Sequence, residues 1–114
     1  MAEYDNFIAT FKKEQETNFR INMTHGFEVD SEYNFGEKLA LIHAELSEAL
    51  EAYRHGNPPS DHIPEFSGIE EEFADVIIRM MNVAEREGFR IAEAMIAKQA
   101  FNAARPYKHG GKKI

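Results

Sequence analysis

The run Gly56-Asn57-Pro58-Pro59 marks a point that no helix crosses, because two successive prolines lack backbone donors and clash with the preceding turn. On both sides, apolar residues recur at helical spacing. Before the break, Leu39, Ile42, Leu46, Ala49, Leu50 and Tyr53 fall on one face of a helix over residues 35–55. Asn34 is positioned to cap it, with Glu37 three residues on, as in a capping box. The connection then runs through Pro64 to Ser67-Gly68. Beyond it, Phe73, Val76, Ile77, Met80, Val83 and Ala84 make the apolar face of a helix over residues 69–87, closed by Gly88.

Two further helices flank this pair. Phe7, Phe11 and Phe19 define one over residues 4–23, ended by His25-Gly26-Phe27 with Gly26 at the position after the cap. A short polar loop follows over residues 28–33. The last helix covers residues 91–104, with Met95 and Phe101 turned inward and Pro106 as its stop. No segment alternates with period two for long. The expected fold is an all-α bundle of about four helices, the middle two antiparallel, in a single domain over residues 1–114. A length of 114 residues suits one core.

Composition narrows the function. Without cysteine the chain has neither a disulfide framework nor a Cys-based zinc site. A net charge of -7 argues against broad nucleic-acid binding, which needs a basic surface. No apolar run approaches the ~20 residues of a membrane span. The start MAEYDNFIATFKKE lacks the basic and apolar regions of a secretory signal. These features point to a soluble globular protein in the cytoplasm, with no membrane partner.

The acids are not spread evenly. On the second helix, Lys38, Leu41, Glu45, Glu48 and Ala52 share a strip that borders the apolar face, whereas Glu51 points outward. On the third, Glu72, Asp75, Arg79, Asn82 and Arg86 form the matching strip. Glu45 with Glu48, and Glu72 with Asp75, are each three apart and stack on adjacent turns. One such pair is ordinary surface. Two pairs on core-bordering strips of neighbouring helices converge if the helices pack, and converging carboxylates repel unless a cation lies between them. An all-oxygen donor set suits a hard ion, Mg²⁺ or Mn²⁺.

The last helix carries the complement. Lys98, Asn102 and Arg105 follow at i, i+4 and i+7, and Pro106-Tyr107-Lys108-His109-Gly110-Gly111 comes next. Lysine and arginine are natural phosphate ligands, and the glycines allow the tail to fold over a ligand. Basic residues late in a helix also offset its dipole, but that does not account for their alignment with Asn102. Lys108 and His109 extend the candidate phosphate-binding set.

Three stretches, GEKLALIHAELSEALEAYR, IEEEFADVIIRMMNVA and NAARPYKHGGK, together resemble the MazG-like all-α nucleoside triphosphate pyrophosphohydrolases over residues 36–113. The resemblance implies Mg²⁺-dependent cleavage of a nucleoside or deoxynucleoside triphosphate to the monophosphate and pyrophosphate. It also implies a homodimer or a dimer-of-dimers tetramer with sites built between subunits. Some relatives carry a further acid directly before the first motif glutamate; Ala44 stands there in this chain.

On this reading Glu45, Glu48, Glu72 and Asp75 bind metal, and Glu48 or Glu45 orients the attacking water or takes its proton. Lys98 and Arg105 hold phosphate, and Asn102 positions sugar or phosphate. Arg79, one turn after Asp75, pairs with it. Met80, Met81, Phe35 and Phe7 are candidates for a base pocket or for the core. A phosphoribosyl-nucleotide pyrophosphohydrolase would use the same helices. A non-catalytic helical interaction module would carry the acids as surface charge. A ferritin-like di-iron bundle needs Glu-x-x-His, which neither acid pair supplies.

Overall fold

The computed structural model describes residues 2–26 and 33–106. A 3₁₀ turn, Ala2–Tyr4, leads into four helices: α1 (Asp5–Thr24), α2 (Phe35–Arg54), α3 (Gly68–Glu87) and α4 (Ile91–Ala103). Among the described residues there is no strand, and pairing is limited to an isolated bridge between Pro59 and Ser67. The all-α class expected from the spacing holds, with helix ends within a residue or so of those expected. Most of the 28–33 loop lies outside the described residues.

The helix ends follow from local chemistry. Asn34 is extended (φ -142°, ψ 114°), and its Oδ1 accepts from the Glu37 amide at 2.9 Å. Ser67 and Glu70 form a complete capping box, each side chain bonded to the other's backbone amide. Gly88 ends α3 in the left-handed region at φ 77°, its amide reaching the Ala84 carbonyl at 2.8 Å.

The connection between α2 and α3 is tightly braced. The Asn57 Oδ1 accepts from the Ile69 amide at 2.9 Å, and the Gly68 amide donates to the Pro58 carbonyl at 2.8 Å. Buried Ser60 accepts from the amides of His62 and Ile63, each at 3.1 Å, and donates to Glu71. The other Glu71 oxygen pairs with His62 Nδ1 at 2.8 Å. That pairing and its hydrogen bond raise the His62 pKa, while the Ser60 hydroxyl and then His62 lower that of Glu71. The short link makes α2 and α3 antiparallel. Ala52 lies beside Gly68, where an added Cβ would come within 3.1 Å, and further along Glu45 faces Arg79 near the middle of both helices.

The two helices bury only part of the expected apolar rows. In α2 the buried residues are Glu45 and Ala49, while Leu39, Leu46, Leu50 and Tyr53 are exposed, Tyr53 to 67%. In α3 Met81, Asn82, Val83 and Ala84 are buried, but Phe73, Ile77 and Met80 are exposed. Of the expected core faces, Ala49, Val83 and Ala84 are buried, and the larger members named above are not. The strips carrying Glu45 and Asn82 turn inward because the small residues Ala49, Ala52 and Gly68 lie along the same side and let the backbones approach. The larger apolar side chains are left along the outside of a single chain.

Contacts group the chain into two compact units, residues 14–89 and residues 1–13 with 90–114. In the first, the later turns of α1 join α2 and α3. Buried Gln15 donates to Glu85 at 3.0 Å, and Asn18 donates to the Met81 sulfur at 3.5 Å. The Arg86 guanidinium lies 4.3 Å from the Tyr33 ring centre and 5.8 Å from that of Phe19. In the second unit Phe7 and Phe11 are 5.8 Å apart. In α4, Ala92 and Ile96 are buried, whereas Met95 and Phe101, expected inward, are exposed. No helix among the described residues is long and apolar enough to cross a membrane.

The capping box gives a direct test of how α3 begins. Ser67→Ala should lower stability by about 1 kcal/mol in urea denaturation, with an unchanged helical spectrum.

Candidate metal centre between α2 and α3

Glu45 comes from the middle of α2, Glu72 and Asp75 from successive turns of α3. Antiparallel packing brings them together: one carboxylate oxygen from each lies within 4.8 Å of the others. The Glu45 side chain is only 12% exposed, and Arg79 Nε donates to its Oε1 at 3.0 Å. Arg79 therefore pairs across the seam with Glu45, not with Asp75 as its position one turn on had suggested. The long side chain reaches the facing helix, where a buried carboxylate would otherwise lack a counter-charge.

Glu48 is exposed and close enough to Glu72 to act on its protonation. So three of the four predicted carboxylates form the group, and the fourth lies near one of them. The consequence falls on Glu72. Burial, the hydrogen bond with Glu48 and repulsion from Glu48 and Glu45 push its pKa up to about 8. At neutral pH it holds a proton that an ordinary carboxyl would have lost.

The donor set fits a divalent cation. All three groups are carboxylates, as a hard ion prefers, and their spacing leaves room for an ion bonded to each at ~2.1–2.5 Å. An ion there would also offset the burial and repulsion that keep Glu72 protonated.

The phosphate candidates fare differently. Lys98 is exposed and lies 4.5 Å from the centre of the Phe101 ring. Lys98 and Asn102 line one groove on α4, of about 350 Å³, with Met95 and Gln99. Arg105 is exposed just beyond the helix end. Lys108 and His109 lie outside the described residues.

Sequence reasoning missed a cavity of about 330 Å³ beside the acids. Asn22, Lys38, Asp75, Arg79 and Asn82 supply its polar wall, Leu41 and Ile78 its apolar one. Asn82 is 4% exposed, and its Oδ1 has no hydrogen-bond partner among the described residues. Leaving such an acceptor unmade costs about 1–3 kcal/mol. The helical wheel had placed Asn82 on the acidic strip, but nothing in the spacing said that the strip is buried. None of the earlier base-pocket candidates lines this cavity. Phe35, Phe7 and Met80 are exposed, and Met81 is in the core.

The raised pKa sets the sign of a pH dependence. Folding takes up a proton at Glu72 wherever the unfolded chain has lost it, so stability declines as pH rises from 4.5 to about 8. Chemical denaturation of the metal-free protein across that range should show this fall. Glu72→Gln should remove most of it, and added Mg²⁺ should flatten it. No family model, no curated protein and no solved structure matches the chain, so the functional reading rests on its residues.

Proposed function

We propose that this protein is a Mg²⁺-dependent nucleoside triphosphate pyrophosphohydrolase of the MazG-like type, releasing a monophosphate and pyrophosphate. The observation that carries the reading is the set of three carboxylates from two facing helices within 4.8 Å, with Glu72 driven to about 8 by burial and then by the neighbouring Glu48 and Glu45. Such a set is costly for a chain that uses no cation.

Glu45, Glu72 and Asp75 hold the ion in this reading. A divalent ion bound there, Mg²⁺ or in its place Mn²⁺, would supply Lewis acidity and lower the pKa of water. Glu48, exposed beside Glu72, would orient a water and accept its proton. Arg79 fixes the Glu45 carboxylate by its 3.0 Å bond and keeps it oriented across the seam. Lys98 and Arg105 are assigned to phosphate oxygens, where fixed positive charge favours pyrophosphate as the leaving group. Asn102 is assigned to sugar or phosphate, and Lys108 and His109 to the same anion.

A homodimer, or a dimer of dimers, belongs to the same proposal. Leu46, Leu50, Tyr53, Phe73 and Ile77 are exposed along α2 and α3, and pairing of copies would cover them. Leu50→Glu should lower the solution mass measured by sedimentation at a fixed concentration, and a monomeric wild type would refute the pairing.

Pyrophosphate release from a panel of triphosphates, with and without Mg²⁺, tests the activity. Glu48→Gln and Asp75→Asn should each reduce turnover by at least about 100-fold, as loss of a general base or metal ligand does, with helix content retained. Near-normal turnover in both would reject the mechanism.

A further inference from the structure

We propose that the cavity beside the acids binds the sugar-linked phosphate of the nucleotide, with Lys38 and Arg79 as its ligands; this rests on the nucleotide reading above. Both residues belong to the compact unit of residues 14–89, which also holds the carboxylates, whereas Lys98 and Arg105 belong to the other unit. At about 330 Å³ the cavity has the size of a small-ligand pocket. Asn22, Lys38, Asp75 and Arg79 on its wall are each half-buried, so they keep surface that a ligand can cover.

Charge decides what the cavity takes. Its wall carries two cations, Lys38 and Arg79, against one carboxylate, Asp75. A metal ion on Asp75 would raise that excess, so the complementary ligand is an anion. The Arg79 bond to Glu45 uses Nε, and the two NH₂ groups at the end of the fork are further donors. Lys38 adds a point charge from the facing helix, and the Asn22 amide is a neutral donor.

Position decides which anion. Asp75 belongs both to the cavity wall and to the group of carboxylates, so an anion in the cavity lies next to the ion-binding oxygens. A phosphoryl group has enough terminal oxygens to meet the cationic wall and the ion together, which a carboxylate does not. Leu41 and Ile78 give the cavity an apolar side, suited to sugar carbons and wasted on a bare inorganic anion. The phosphate nearest the sugar therefore remains in the cavity when pyrophosphate leaves, and the monophosphate product competes with the triphosphate for the same place.

Calorimetry of the four ribonucleoside 5′-monophosphates against their nucleosides, with Mg²⁺ present, reads this site without turnover. The monophosphate of the preferred base should bind at least about tenfold tighter than its nucleoside. Lys38→Met should lower that ratio about tenfold, and Lys38→Arg should keep it. Lys12→Met, the same change of charge outside the cavity, should leave it unaltered. The ratio separates a phosphate contact from damage to the fold, which weakens both ligands alike. Equal binding of monophosphate and nucleoside, a ratio that survives Lys38→Met, or no binding of any of the four would overturn the assignment. A ratio lost in Lys38→Met without cleavage of any triphosphate would reject the proposed activity and retain the site. Cleavage with a ratio indifferent to Lys38 would retain the activity and reject the site.

Discussion

Three carboxylates and one guanidinium meet in the seam where α2 lies against α3, and the rest of the architecture is arranged around that meeting. The short braced link over residues 55–67 fixes the antiparallel register. Small side chains at Ala49, Ala52 and Gly68 bring the helices close. Closeness then places Glu45 opposite Glu72, Asp75 and Arg79. A buried carboxylate beside two others is unfavourable, and the protein answers in two ways: Arg79 pairs with Glu45, and Glu72 keeps its proton. One guanidinium does not balance two charged acids and a third that is held protonated, and the residual imbalance is what a divalent cation would remove.

Turning the polar strips inward has a second consequence. The apolar rows Leu39–Leu46–Leu50–Tyr53 and Phe73–Ile77–Met80 are left facing outward on a single chain. Both features therefore have one origin in how the helices are rotated. A packing that buried these rows between α2 and α3 would have carried the acids to the rim. In the proposed function the two consequences serve one another, since self-association covers the rows while the seam keeps its carboxylates together.

Much of the fold is legible in the chain because its signals are local. Asn34 and Gly88 act through atoms a few residues away, so the sequence locates α2 and α3 closely. Glu45, Glu72 and Asp75 were also legible, because i,i+3 spacing on neighbouring helices survives any modest rotation. What was not legible is the rotation itself. Hydrophobic periodicity ranks faces by apolarity, and here Ala49, Val83 and Ala84 of the expected faces are buried while the larger Leu46, Leu50, Phe73 and Ile77 are exposed. The partner of Arg79 and the burial of Asn82 depend on that rotation, as do the exposed positions of Met95 and Phe101 on their own packing. The capping box at Ser67 was present in the sequence, hidden by reading Ser67-Gly68 as loop.

The most direct test of the central claim is titration of the metal-free protein with Mn²⁺, followed by electron paramagnetic resonance at pH about 7.5, on the flank of the Glu72 transition near 8. The account predicts saturable binding that strengthens with pH and is lost when Glu72 and Asp75 are both replaced by their amides. Weak, unsaturable binding that is indifferent to those replacements would contradict it.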